Sequence, residues 1–204
     1  MLHRLVDWLR RERAPRGYRP GATLARLRQE LGQDRVGAEC EPAGSTALAC
    51  RSADGLQFTV RERIDAVFLA HTVSCEFRLP LALDIAAAAA NPGSDPARIV
   101  IRHTGAVRRQ GIACQVAGPD DGSLAAIARR LQDDAALQAA LLPLDFRRCE
   151  LRLEDGSWQL CIEHFGASEV VTNIPPMRRY IRLIAPQRQA LLHSLRACQA
   201  VLAV

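Results

Sequence analysis

The sequence predicts an α+β protein in which antiparallel sheets are covered by helices, with an amphipathic helix at each end of the chain. Two observations lead to this expectation. From residue 34 to residue 79, apolar residues recur at every second position, which is typical of strands with one dry and one wet face. The pairs Asp54-Gly55 and Asp155-Gly156 each separate two such runs, which predicts two tight hairpins.

The N-terminal region is predicted to form two helices joined by a linker. Apolar residues at helical spacing predict an amphipathic helix over residues 2–13: Leu2, Leu5, Val6, Trp8 and Leu9. Prolines and glycines between residues 14 and 21 break it. A second helix is expected from Thr23 to the residue before Gly32.

The next part of the chain is predicted as strands. The hairpin around Gly55 joins residues 47–51 to residues 56–64, and an earlier strand covers residues 36–40. One long strand is then expected from Val67 to Leu79, with His71 and Cys75 on its dry face.

Residues 81–90 are alanine-rich and predict a helix, and the run 91–96 that ends it is the best candidate for a subdomain boundary. Strands at 98–103 and 111–117, one or two helices over 123–142, and the hairpin 147–165 follow. A strand after Pro175-Pro176 and a helix over 186–202 complete the chain. We therefore expect a basic arm at residues 1–20 and one domain at 21–204, or two subdomains divided near 91–96.

The excess positive charge of the protein, +5, lies in its first 35 residues, whereas the remainder is neutral. This asymmetry points to an anionic partner, either a membrane surface or a nucleic acid. The predicted anion-binding residues lie in the arm and on one face of the late strand: Arg4, Arg10, Arg11, Arg13, Arg178, Tyr180 and Arg182. The magnitudes favour a different interpretation of the arm, in which the apolar side of the first helix packs on the body and the arginines form a solvated outer face.

Three histidines share the parity of their apolar neighbours in predicted strands: His71, His103 and His164. If those strands lie in one sheet, the imidazoles could form a three-histidine metal site with an open position for water. The alternative is that each is a core histidine that bonds to a carbonyl oxygen.

The seven cysteines contain no CxxC pair, and their odd number leaves one outside any disulfide framework. We expect reduced, mostly buried thiols, with Cys161 the first to react with a reagent. The carboxylate pairs at residues 120–121 and 133–134 fit helix N-caps. The motifs GxSxG, GxGxxG and GxxxxGK[ST] are absent, and no cofactor is expected.

The sequence contains no run of 18 apolar residues, and charged residues interrupt the N-terminal segment. These features predict a cytoplasmic protein without a transmembrane segment.

The runs 165–171 (FGASEVV) and 174–180 (IPPMRRY) resemble the C-terminal half of a family of small proteobacterial proteins of unknown function. The resemblance implies a bacterial cytosolic origin and assigns no role to any residue. We expect a non-enzymatic binding or regulatory module with an unidentified protein or small-molecule partner. The alternatives are a metal-dependent enzyme that uses the three histidines, and a peripheral membrane or nucleic-acid binder that uses the basic arm.

Overall fold

Ten strands form one antiparallel sheet in the computed structural model, which describes residues 14–33, 37–83, 96–105, 107–120 and 122–203. The strands are β1 (Ala38–Pro42), β2 (Ala47–Ser52), β3 (Gln57–Val67), β4 (Ala70–Leu81), β5 (Arg98–Thr104), β6 (Gly111–Ala117), β7 (Phe146–Glu154), β8 (Ser157–His164), β9 (Ser168–Asn173) and β10 (Pro176–Ile181). Their order is β1-β2-β3-β4-β8-β7-β5-β6, and β9 and β10 branch from β4.

Strand β4 organises the sheet because it pairs with three neighbours. It pairs with β3 along one side, and on the other side with β9 over residues 70–73 and with β8 over residues 76–81. Its alternate residues Val73, Cys75, Phe77 and Leu79 are buried in the hydrophobic core. Its other alternate residues therefore lie on the second face of the sheet, opposite the core.

The helices lie at α1 (Ala22–Leu31), α2 (Ser123–Asp133), α3 (Ala135–Leu141) and α4 (Ala185–Leu202). Helix α1 contacts β1, β3 and β4, and α4 contacts α3. Asp120 accepts hydrogen bonds from the amides of Leu124 and Ala125 at the start of α2, and Asp134 accepts one from Leu137 at the start of α3. These contacts confirm the N-capping interpretation of both residues.

The predicted fold class, an α+β fold with antiparallel sheets covered by helices, is wrong. The described chain is mostly one antiparallel sheet of ten strands, and its four helices do not cover it. The reason is that the second face of the sheet carries a dense group of ion pairs, which satisfies polar groups there without a helical layer.

The predicted long strand from Val67 to Leu79 is also wrong, because the chain reverses at residues 68–69 between β3 and β4. The run before Pro175 is a strand as well, so β9 and β10 form a further hairpin. The predicted helix over residues 2–13 lies outside the described residues, as does most of the predicted helix over 81–90, of which Leu81 belongs to β4. The hairpins around Gly55 and Gly156 and the helices near residues 22–31 and 185–202 are confirmed.

Candidate functional site

A group of ionised side chains, which we call the charged cluster, lies on the second face of the sheet. Its centre is a pair of glutamates that are cross-strand partners on β4 and β8, Glu76 and Glu163, each about 1% exposed. The arginines around them are Arg63, Arg78, Arg147 and Arg152, and Glu154 joins two of these.

Glu76 receives the closest contacts of the charged cluster. Its carboxylate lies 2.6 Å from a terminal nitrogen of Arg78 and 2.9 Å from Nη2 of Arg152. The second glutamate, Glu163, accepts a hydrogen bond of 2.8 Å from the Ser74 hydroxyl. Its Oε2 atom has no hydrogen-bond partner and lies 3.9 Å from Nε of Arg63. The network holds β3, β4, β7 and β8 together through charge-assisted contacts.

The charged cluster also shifts the pKa values of two side chains, Glu154 and Cys161. Burial raises the pKa of Glu154, but hydrogen bonds from Arg152 and Arg78 outweigh it, so that its pKa lies below the ordinary value. Burial and the charge of Glu76 raise the pKa of the Cys161 thiol to about 12. This thiol is therefore protonated and unreactive at neutral pH.

In the predicted strip, Arg178 and Tyr180 share one face of β10 and Arg182 directly follows the strand; all three side chains contact carboxylates of the same chain. Arg178 lies 2.6 Å from Glu169, which is buried on β9. The Tyr180 hydroxyl donates to Glu30 of α1 at 3.1 Å, and Nε of Arg182 lies 3.4 Å from the same carboxylate.

The strip thereby attaches helix α1 to β10. Arg26 of α1 stacks over the Tyr180 ring at 5.1 Å, and the buried Glu30 also accepts from the Leu183 amide at 2.9 Å. Nη2 of Arg178 donates to the carbonyl oxygen of Gly17, which anchors the segment before α1. The role of the strip in binding external anions stays a prediction, as does that of Arg4, Arg10, Arg11 and Arg13, which lie outside the described residues.

The N-terminus of α1 is itself held by a carboxylate from β3. Glu62 accepts hydrogen bonds from the Gly21 amide at 3.0 Å and from the Leu24 amide at 3.4 Å. The Tyr18 hydroxyl donates to the same carboxylate at 2.5 Å. An acidic side chain at this position satisfies free amide groups and the positive end of the helix dipole.

The three histidines each have separate surroundings. His71 is buried on β4 between Ala66 and Val171, and its Nε2 atom has no hydrogen-bond partner. His103 bonds through Nε2 to the Leu141 carbonyl oxygen at 2.9 Å and stacks on Phe146. His164 bonds through Nε2 to Gln187 and accepts through Nδ1 from the Gly166 amide.

The described residues contain no group of three or more histidine, cysteine or acidic side chains that could hold a metal ion. The predicted metal site of His71, His103 and His164 is therefore not assembled in the described part of the chain. The contacts of His103 and His164 match the alternative, in which core histidines bond to oxygen acceptors. Burial is the main cause that lowers the pKa of His71, His103 and His164 below the ordinary value.

We expect the protein to lose stability as the pH falls below about 6.5, the pKa of histidine in an unfolded chain. Because the pKa of His164 is lower in the folded state, its stabilising contribution is complete above that pH and is lost as the pH falls toward the folded value. Protonation of Nδ1 would also oppose the Gly166 amide, which now donates to it at 2.7 Å. Melting temperatures between pH 7.5 and 5.5 test this.

The variant His164→Gln should show a weaker dependence of Tm on pH than the native protein. The control is His193→Gln, because His193 is exposed on α4. The control should keep the native pH dependence. Equal slopes for the two variants would contradict the role of His164.

The cysteines depart from the prediction of seven reduced thiols. Cys40 and Cys50 face each other on β1 and β2 and form a disulfide. Cys75, Cys149, Cys161 and Cys198 are buried free thiols, and Cys114 is half-buried. Cys161 is about 1% exposed, so its expected rank as the most accessible thiol is wrong. The reason is that its side chain lies beneath the arginines of the charged cluster.

We expect a thiol reagent to label Cys114 first in the native protein. Its thiol is the most exposed of the five, although burial raises its pKa to about 11 and so slows the reaction. The variant Cys114→Ser should abolish this first phase. Rapid labelling of Cys161 in that variant, measured by mass spectrometry, would contradict the burial of the charged cluster.

Five exposed apolar side chains lie at the turns of two neighbouring hairpins, and we call them the hairpin surface. They are Val67 (70% exposed), Phe68 (90%), Leu69 (41%), Ile174 (72%) and Met177 (50%). The two turns are joined because the Asn173 amide donates to the Leu69 carbonyl oxygen at 2.9 Å. In register, Val67, Ala70, Thr172 and Met177 form one row across β3, β4, β9 and β10 on the second face.

The turn of the first hairpin has unusual residues. Phe68 and Leu69 form its two-residue loop, and Leu69 has a φ of 70°. Asparagine and glycine normally occupy such positions, because a branched side chain in the left-handed region is strained. Leu69 therefore reduces stability through backbone strain, and the exposed side chains of Phe68 and Leu69 add no burial energy that would offset it.

The comparisons with known proteins identify a family and no activity. The chain matches the family described as protein of unknown function (DUF3156) over residues 18–202. It belongs to this family. No curated protein and no solved structure matches the chain. Within the described residues, no helix is long and apolar enough to cross a membrane.

Periodicity and motif searches missed both the hairpin surface and the charged cluster. Residues 67–69 continue the alternation of the flanking strands, so no turn signal marks them. Alternation predicts that the polar residues of β4 lie on a solvated face. It separates polar from apolar residues but does not show that Glu76 is buried. The alternation of arginine and glutamate at every second position of β4 and β7 is a signal in the sequence for ion pairs on that face.

Proposed function

We propose that the protein is a non-enzymatic binding module that contacts its partner through the hairpin surface. The observation that carries this proposal is that five exposed apolar side chains lie at two adjacent turns, which a hydrogen bond between Asn173 and Leu69 joins. Clusters of exposed apolar side chains are uncommon on soluble domains and mark interaction sites. The predicted regulatory role belongs to the same proposal.

The contacts of the polar groups support binding in preference to catalysis. Glu76, Glu30 and Glu169 are each held by arginine or tyrosine side chains of the same chain. These groups are occupied in stabilising contacts. The free apolar side chains of the hairpin surface, in contrast, gain stability only when something covers them.

Site-specific photo-crosslinking in cells tests the proposal. A photoreactive phenylalanine analogue at position 68 should give a discrete adduct, and the addition of Met177→Ser should reduce its yield. The matched control places the analogue at position 107, because Val107 is 96% exposed in a different turn. Equal adducts at both positions would overturn the proposal, as would the absence at position 68 of any adduct, whether to protein or to lipid.

We also propose that the protein acts in the cytoplasm of a proteobacterium, as the resemblance implies. Four buried free thiols support a reducing compartment, whereas the disulfide between Cys40 and Cys50 weighs against it. Alkylation of living cells before lysis tests the location. A reduced pair in cells supports the cytoplasm, and an oxidised pair overturns it.

A further inference from the structure

We infer that the partner of the hairpin surface is an anionic lipid membrane. The inference rests on the proposed function, because it names what the hairpin surface binds. Three independent observations lead to it: the position of the apolar side chains on two turns, the residue types in the first turn, and the charges that lie beside them.

The apolar side chains lie on turns that end long strands. Strands β3 and β4 have 11 and 12 residues, and Phe68 and Leu69 come after their last ladder pair, Val67 and Ala70. Ile174 occupies the turn after β9, beside Asn173. Side chains at such positions extend past the sheet and can enter a lipid interface together, since an interface needs no pocket to receive them.

The residue types in the turn fit a lipid contact. An aromatic side chain at the tip supplies a large apolar area, and aromatic residues favour the boundary between lipid and water. An Asn-Gly turn would relieve the positive φ of Leu69 and remove the exposed surface. The turn therefore retains backbone strain at Leu69 together with exposed apolar side chains, a combination that is typical of binding sites.

The charges around the hairpin surface are complementary to an anionic leaflet. Arg179 is exposed on the same face of β10 as Met177, two residues away. Arg16 and Arg19 are exposed next to Gly17, whose carbonyl oxygen binds the Arg178 side chain. Asp65, the acidic residue nearest on β3, is paired with Arg147 at 2.7 Å.

The described part of the basic arm, residues 14–20, contacts β10. The described chain begins at Ala14, three residues before the contact between Gly17 and Arg178. The preceding 13 residues carry four arginines and two acids. In sequence, therefore, a net charge of +2 directly precedes this contact, and membrane binding commonly requires a basic and an apolar signal together.

Sedimentation of the purified full chain with vesicles tests the inference. We expect binding to vesicles that contain phosphatidylcholine and phosphatidylglycerol, and weak binding to phosphatidylcholine alone. Added salt should reduce the binding because it screens the arginines. The variant Phe68→Ser should weaken binding about tenfold or more, since one apolar side chain no longer enters the interface.

Three further variants separate the lipid contact from effects on folding. Val107→Ser removes an equally exposed apolar side chain elsewhere and should bind as the native protein does. Phe68→Trp should retain binding. The double variant Phe68→Asn/Leu69→Gly should melt at the same or a higher temperature and still lose binding, because its turn is less strained.

The outcomes distinguish failure of the inference from failure of the proposed function. Absence of binding to anionic vesicles, or binding unaffected by Phe68→Ser, overturns the lipid inference. If the photoreactive analogue at position 68 then forms a defined protein adduct, the proposed function stands with a protein partner. Salt-sensitive binding to RNA or DNA in place of vesicles also overturns the lipid inference. Absence of vesicle binding together with absence of any adduct overturns both.

Discussion

Replacement of Glu76 by alanine should lower the free energy of unfolding by about 3 kcal/mol, because it removes the buried carboxylate that Arg78 and Arg152 share and leaves Glu154 to compensate both charges. Arg78 and Arg152 both bind this carboxylate, and their side chains are only 12% and 19% exposed. Chemical denaturation followed by circular dichroism measures the change. The slope of the free energy against denaturant should stay unchanged, since the extent of the folded sheet is the same.

Glu41→Ala is the control for Glu76→Ala. Glu41 is exposed on β1, so its removal should change the free energy of unfolding by about 0.5 kcal/mol at most. A double-mutant cycle of Glu76→Ala with Arg152→Ala should give a coupling of about 1–3 kcal/mol. Zero coupling would show that the charged cluster contributes no specific pairing, and would contradict our account of how the second face is stabilised.

Local turn chemistry explains why two hairpins could be predicted from the sequence and a third could not. Gly55 and Gly156 adopt positive φ values of 89° and 78°, which glycine does without strain, and each marks its turn in the sequence. The turn at Phe68-Leu69 has no such mark, because its residues suit a strand. It depends on the pairing of β4 with β9 and β8, which is a long-range property.

Register explains the unpredicted disulfide and the partial success with the histidines. Cys40 and Cys50 are directly opposed because β1 and β2 pair with that particular register, and their Cα atoms are 4.1 Å apart. Strand parity correctly placed His71 and His164 on the buried face. Parity gives the face and not the position along the sheet, so it could not show whether the imidazoles meet.

The strip on β10 could also be predicted only in part, because the local pattern shows the face of a side chain and not its tertiary partner. Alternation correctly placed Arg178 and Tyr180 on one face of a strand, whereas Arg182 lies just after the end of β10. Their partners, Glu30 and Glu169, lie on α1 and β9. The sequence of the strand does not show that α1 contacts these residues, because the contact depends on packing between elements that are distant in sequence.

Replacement of Glu30 by alanine should lower the free energy of unfolding by about 2–3 kcal/mol. The buried Leu183 amide donates to this carboxylate and would lose its partner, and the half-buried Tyr180 hydroxyl would lose its own. Hydrogen bonds to charged groups contribute about 1.5–3 kcal/mol each, and partial access of water to the tyrosine reduces the sum. Equilibrium denaturation measures the total.

Hydrogen exchange shows where that loss is located. Because Glu30 joins α1 to β10, its removal should increase exchange in α1 more than in the distant strands β5 and β6. Gln29→Ala is the control, since Gln29 is exposed on the same helix and should leave exchange unchanged. The double variant Glu30→Ala/Tyr180→Phe should be more stable than the sum of the single changes predicts, because both remove the same hydrogen bond. Additive effects would mean that the tyrosine and the glutamate act independently, and would contradict their hydrogen bond as an attachment of α1 to β10.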